Sequence, residues 1–332
     1  MLPQIRQAPW YPGQMGVSGS DVQRGLRWAP QGIVLYVDDE HNNATADADG
    51  TDPENPLTTI ALAVARLTAF ATSMATSLEG SVIVVANEAT IAESVIIPPT
   101  APKNCTLLGA GGGIDAPTWT AATAAGTALT IRQSGWTVEG FHFNAGVAGI
   151  GIQLEWVPAS GYVGNRCVIR NNYFEGLYQG LYGIVLFGAP YDTRIVGNEF
   201  REYTRDNTTA FAIITTNTAE ANPYMNVVKD NIFWENENHI GSIDNLRALS
   251  LSYITGNMFH EGLGIAATIM LDLRGGEGEN IVTGNVFCGD YSQPGGYWAN
   301  AGAPGNWVGN FAEDIAEFEV ADNGLTVLPP AP

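Results

Sequence analysis

With 34 acidic residues in the chain, carboxylate pairs are the commonest chemistry its side chains could offer. Glycoside hydrolysis needs two such groups facing each other across a groove, at ~5–9.5 Å. Acids that neighbouring turns of chain could present are Asp192 with Glu199 or Glu202, Asp206, Asp230, Glu235 with Glu237, Asp244 and Asp272. So many acids bring some pairs together by chance, so the first expectation is that no residue is catalytic. Should the chain cut a polysaccharide, Asp192, Glu199, Asp230 and Glu235 are the candidates.

Two other patterns could bind something. Asp47-Ala48-Asp49-Gly50-Thr51-Asp52 alternates carboxylates around a glycine kink, with Asp38 and Asp39 nearby. Such a run can wrap calcium, but the full twelve-residue loop with its closing Glu is missing. A solvated acidic turn is the plainer reading of Asp47, Asp49 and Asp52, and calcium is the one cofactor in view. Between Trp156 and Tyr191 aromatics are dense, and Tyr178 and Tyr182 lie in Gly-Leu-Tyr-Gln-Gly-Leu-Tyr-Gly. Aromatic faces there could stack on sugar rings or join subunits, with Trp156, Tyr178 and Tyr182 as binding residues. His41, His142, His239 and His260 are scattered, and they read as surface or internally satisfied groups. Spacing assembles no Ser/His/Asp or Cys/His set from them. Cys105, Cys167 and Cys288 are widely spaced, which suits lone buried thiols better than zinc or a disulfide framework.

What must position these groups is a repeated phrase. Val168-Ile169-Arg170-Asn171-Asn172-Tyr173-Phe174 returns as Arg194–Phe200, Val227–Phe233, Tyr253–Phe259 and Ile281–Phe287, and a frayed copy closes at Phe311. The Phe-to-Phe steps are 26, 33, 26, 28 and 24 residues. Each copy holds a β-branched run suited to a strand, then a Gly-Asn, Asn-Asn or Asp-Asn bend, then an inward Phe. A period near 28 residues means that each copy is one layer of a stack. Sandwich strands, with hairpin turns every 8–12 residues, do not produce it. Stacked layers would align Asn172, Asn198, Asn231, Asn257 and Asn285 at the strand spacing of ~4.8 Å, as a ladder beside a column of Phe rings. The arrangement is an all-β parallel β-helix, with insertions such as the 200–233 step bulging as loops.

The rest of the chain fits around this. Residues 1–32 form a Pro- and Gly-rich arm, 33–80 a first strand, acidic loop and helix, 81–312 the β-helix and 313–332 a Pro-rich tail. Leu57, Ile60, Val64, Leu67, Ala71, Met74 and Leu78 keep one apolar stripe. With Asn55 as N-cap, Pro56 at the first position and Gly80 as stop, the spacing predicts a helix over 56–79. An amphipathic helix there would cap the open end of the stack. The net charge of −20, with Lys103 and Lys229 the only lysines, argues against nucleic acid or an anionic membrane as partner. No segment has the ~20 apolar residues of a membrane helix. The first residues lack the apolar core of a signal peptide, so export by that route is not expected.

Tyr36-Val37-Asp38, the acidic Gly-Thr-Asp loop, Pro56, Thr59–Val64, Ile91–Pro98 and the Asn-x-Phe coils together resemble the pectate-lyase-like superfamily over roughly 33–311. The resemblance implies a single-stranded, right-handed parallel β-helix with an N-terminal capping α-helix. Its members include polysaccharide lyases, glycoside hydrolases, epimerases and bacteriophage tail spikes, so fold alone does not decide function. The Asn-Thr-Asp, Gly-His-Gly and Arg-Ile-Lys motifs of polygalacturonases are absent, as is an Arg-x-Pro-x-x-Arg stretch. The expectation is therefore a virion structural protein, a decoration or spike at the virion surface. It would be a homo-oligomer, with a trimer the first choice, and would contact other virion proteins through residues 1–32. The alternative is a polysaccharide-degrading or glycan-binding β-helix.

Overall fold

Each copy of the phrase folds as two short strands around a bend. In the clearest copy Val168–Arg170 runs straight, Asn171 turns at φ 52°, Asn172 sits at the corner, and Tyr173–Glu175 leaves in a new direction. Ile169 and Phe174 point inward and are buried. Asn171, Gly197, Asp230, Gly256, Gly284 and Gly309 all take the left-handed turn at this point, which Gly and Asn adopt at low cost. The computed structural model describes residues 32–74, 77–111, 115–204, 210–216, 222–242, 249–260, 269–273, 280–288, 297–300, 306–312 and 320–321.

Stacking these coils makes three sheets along one axis. Among the described residues, sheet A has ten strands, from Val34–Val37 to Asn306–Val308. Sheet B has nine, from Thr90–Ala92 to Phe311–Ala312. Sheet C runs from Val95–Ile97 to Val320–Ala321. Pairing is parallel and unslipped: Ile169 faces Ile195, which faces Val228. Among the described residues the exception is a small flap, where Tyr162–Val163 turns back antiparallel on Trp156–Val157.

The asparagines form the expected ladder, and Asn310 extends it. Asn198 Oδ1 accepts from both the backbone N–H (3.0 Å) and the side-chain amide (3.1 Å) of Asn172. Asn198 Nδ2 donates to the Ile169 carbonyl (2.8 Å) and to Asn231 Oδ1 (3.1 Å). Asn231, Asn257 and Asn285 repeat the scheme. Every polar atom of these buried amides is thereby satisfied, which avoids the ~1–3 kcal/mol cost of an orphaned buried group. A parallel ladder at the corner before sheet A links Thr193, Asn226, Ser252 and Asn280 in the same way; it was not evident in the repeat.

Beside the main ladder, Phe143, Phe174, Phe200, Phe233, Phe259 and Phe287 stack face to face. Their centroids are 5.0, 4.7, 5.0, 4.8 and 4.9 Å apart, with planes within 11°. Such pairs contribute ~0.5–1.5 kcal/mol each beyond burial. Trp119 prolongs the column at 5.3 Å from Phe143. The stretch 136–143 is thus two strands, Thr137–Glu139 and His142–Asn144, and a further copy of the phrase with Phe141 in the Asn slot. The Phe141 N–H donates to Asn172 Oδ1 at 3.0 Å, which starts the ladder. Ile91–Pro98 likewise divides, into Thr90–Ala92 and Val95–Ile97.

The helix, α1, spans Ile60–Met74 and not 56–79. Ile60, Ala63, Val64 and Leu67 are buried, and it packs against Val34–Val37, Val82–Val85 and Val95–Ile97. Pro56 and Leu57 lie before it, because Leu57 bridges to Val37. Its cap is not Asn55. Thr59 Oγ1 accepts from Leu62 N–H at 3.1 Å. The Glu93 carboxylate, from the next coil, accepts from Ile60 and Ala61 N–H at 2.9 and 3.0 Å. That places a negative charge at the positive end of the helix dipole.

Residues 1–31 of the arm, and 313–319 and 322–332 of the tail, lie outside the described residues. Among the described residues no helix is long and apolar enough to cross a membrane.

Candidate functional site

Because the inward Phe alternates with its neighbours, the residues flanking it in each sheet B strand face outward. Register then stacks them in rows: His142, Tyr173, Glu199 and Ile232 in one, Asn144, Glu175, Arg201 and Trp234 in the other. His142 Nε2 lies 3.1 Å from Glu175 Oε2, and its ring meets Tyr173 edge-on at 4.7 Å. Arg201 pairs with Glu199. Its guanidinium lies 5.7 Å from the Tyr173 ring and 5.9 Å from the Trp234 ring, within cation–π reach of both. Trp234 stacks flat on His260 at 4.0 Å.

At the corner where sheet B ends, the left-handed turns include Tyr178 (φ 57°), Glu202 (59°) and Glu235 (53°). These are costly angles for side chains of that kind. They bring the three together. Tyr178 Oη donates to Glu235 Oε2 at 2.8 Å, and Glu202 lies beside the same hydroxyl. The bond to Glu235, with some burial, pushes the Tyr178 phenol up to about 12. Partial burial raises the Glu202 carboxyl; the Glu175 and Glu235 charges raise it further, while Tyr178 and Arg201 pull it down. Burial, with the Glu175 charge next, pushes Tyr173 up to about 12. Behind the corner Tyr203 is fully buried, its Oη without a partner among the described residues. Burial raises it first, and the groups on the patch that raise it further are Glu175 and Tyr173.

Two carboxylates beside one phenol place groups able to give and take a proton at one corner. Flat rings on the same face suit the apolar faces of sugars.

The four candidate acids do not converge. Glu199 and Glu235 belong to this face. Asp192 lies at the corner before sheet A, 3.8 Å from Arg166, and Asp230 lies in the bend between sheets A and B, 3.4 Å from Lys229. Asp206 and Asp244 lie outside the described residues. The three binding aromatics also separate. Tyr178 is exposed at the sheet B corner. Tyr182 packs on Val185, Phe211 and Ile214, a second cluster on the outside of sheet C. Trp156 is the penultimate residue of its sheet C strand, Ile150–Val157, edge-on to Tyr191 at 6.2 Å.

The Asp47–Asp52 loop folds as local turns. Asp49 Oδ1 accepts from Thr51 N–H and Oγ1, and Asp52 Oδ1 accepts from Glu54 N–H. Among the described residues no group of three or more His, Cys, Asp or Glu is placed to hold a metal ion. Cys105 and Cys167 are buried and Cys288 partly exposed. His142 faces outward as its place between two Phe residues requires. His239 is neither surface nor satisfied: it is fully buried, bonded through Nδ1 to Asn236, with no partner for Nε2 among the described residues. Glu175, Tyr173, Arg201 and Trp234 were missed as site residues, although their places beside the repeating Phe mark them as outward.

No family model matches the sequence, and no curated protein matches it. Solved structures do. An alginate lyase from Paenibacillus sp. str. FPU-7 is 14% identical, with a TM-score of 0.50 over 80% of this chain and 96% of that one. ORF18 of Geobacillus virus E2 is 14% identical, with a TM-score of 0.51 over 93% of this chain and 63% of that one. A rhamnogalacturonan lyase aligns at 10% identity and a TM-score of 0.44, over 85% and 74% of the two chains. The chain has the parallel β-helix fold. At these identities the likeness is one of fold, and it agrees with the resemblance to pectate-lyase-like proteins read from the coils. The outward face of sheet B brings charged and aromatic side chains together.

Proposed function

We propose that this β-helix is a structural protein of a virus-like particle, a decoration or spike at the virion surface. The observation that carries the reading is the unbroken asparagine ladder from Asn172 to Asn310, with its six-ring Phe column. Such a stack is built for durability, since each coil bonds its neighbours through backbone and side chain alike. The likeness to ORF18 of Geobacillus virus E2 over 93% of this chain supports it. In this reading α1 caps the N-terminal end of a right-handed helix, and residues 1–32 contact neighbouring particle proteins. The assembly is a homotrimer. Light scattering on the purified chain should give three times the monomer mass, and antibodies should label intact particles. A stable monomer that labels no particle would sink the proposal.

A second reading has its own observation: Tyr178 held between Glu202 and Glu235 beside Tyr173, Arg201 and Trp234. Here sheet B binds or cuts a surface polysaccharide. Its test is release of reducing ends or new double bonds from a polysaccharide panel. Glu235→Gln should abolish the signal while leaving the melting temperature unchanged; equal turnover by that variant would remove the site.

A further inference from the structure

Charge is spread unevenly along the stack. The phrases 168–175, 194–201 and 227–234 carry Arg170 and Glu175, then Arg194, Glu199 and Arg201, then Lys229 and Asp230. The phrases that follow, 253–260, 281–288 and 306–312, hold no Asp, Glu, Lys or Arg. Apolar side chains take outward places there instead. On sheet B, Ile232, Met258, Val286 and Phe311 form one row, in which Met258 is 36% and Phe311 47% exposed. On sheet A, Tyr253 follows Arg194 and Val227 in register and is 50% exposed. A chain of net charge −20 repels copies of itself, so close apolar contact between copies needs a face free of charge, and this is one.

The charged coils below it match a second copy of the chain. Their outward cations on sheet A are Arg170, Arg194 and Lys229, in three successive coils. In the same three coils sheet B carries Glu175 and Glu199, and Glu235 stands at its far corner. Arg194 is exposed, with no ion-pair partner among the described residues. Sheet A of one copy, laid against sheet B of the next at the same level and in the same direction, opposes these cations to these acids. The same contact opposes Tyr253 and its neighbours to Met258 and Phe311. Each copy then uses two different faces, and such a head-to-tail contact closes into a ring. We propose that copies of this chain associate side by side through sheet A of one and sheet B of the next, with the charge-free last coils as the apolar part of the contact. This rests on the homotrimer of the first reading and names the surface that builds it.

Light scattering of the full chain over a concentration series tests it, with circular dichroism to check that each variant is folded. Met258→Glu puts a carboxylate into the apolar row of every copy and should raise the concentration at which half the chains assemble at least ~100-fold. Arg194→Glu should raise it about tenfold, by setting like charges face to face, and the double variant Arg194→Glu/Glu199→Arg should restore it. Ile96→Glu is the control: Ile96 is 48% exposed but lies on sheet C, outside the contact, so assembly should be unchanged. A trimer that persists in Met258→Glu and Arg194→Glu alike would overturn this surface and leave the trimer standing. So would an Ile96→Glu variant that falls apart as readily as Met258→Glu. A wild-type chain that stays monomeric at every concentration would overturn the homotrimer itself.

Discussion

Replacing Asn231 by Ala should cost the fold more than replacing Asn172, although both are buried asparagines at the same corner. Asn231 Oδ1 accepts from Asn198 N–H at 2.9 Å and from Asn198 Nδ2 at 3.1 Å. Its Nδ2 donates to the Ile195 carbonyl at 2.9 Å and to Asn257 Oδ1 at 3.0 Å. The Ala variant leaves two donors in one coil without an acceptor, in a corner where Asn198 is 1% exposed. At ~1–3 kcal/mol for each orphaned buried group, the loss is ~2–6 kcal/mol. Asn172 stands at the start of the ladder and accepts from one donor, the Phe141 N–H. Its replacement should cost about half as much. A break in mid-stack also divides the coils into two shorter blocks, which lowers cooperativity. Urea unfolding followed by circular dichroism, at matched protein concentration, reads both effects as midpoint and slope. Equal midpoints for the two variants, or an Asn231→Ala midpoint close to wild type, would refute the ladder as a source of stability.

Two further outcomes follow from buried or capping charge. His239 is pushed down to about 3 from 6.5, by burial first and then by the His260 charge. The unfolded chain therefore binds the extra proton between those values, and stability falls as pH drops from about 6.5 towards 3. The fall amounts to ~5 kcal/mol at most. His239→Leu should flatten that part of the acid-unfolding curve; an unchanged slope would show that the ring is not held neutral. Glu93→Ala should remove the anion at the start of α1 and cost ~0.5–2 kcal/mol, with Glu93→Gln in between. A melting temperature unmoved by either variant would exclude that cap.

The coils were readable because their logic is local. A β-branched run, a residue tolerant of positive φ and an aromatic two positions on were enough to place Ile195, Asn198 and Phe200 correctly. Phe141 was harder, since it fills the Asn slot with a side chain of unrelated chemistry and offers only its N–H to the ladder. The start of α1 was misread for a different reason. Asn55-Pro56 is a sound local cap, but the group that satisfies the helix N–H bonds is Glu93, from a strand bend 33 residues away, and no local pattern announces it. At the candidate site, Glu199 and Glu235 were visible as acids in the right repeats. Their separation from Asp192 and Asp230 was not, because each coil has three corners and insertions of varying length between them. The Tyr178–Glu235 contact joins residues 57 apart, and it depends on left-handed turns that neither Tyr nor Glu advertises.

The ladder also gives the molecule a unit of length. Asn231 and Asn257 are 26 residues apart and make the same bonds to the same kinds of partner. Excising residues 231–256 would hand Asn198 a new neighbour already shaped like the old one, and duplicating them would add a turn by the same rule. A chain organised in this way can be shortened or extended by whole turns while each junction stays as it was, much as a measuring rod is divided.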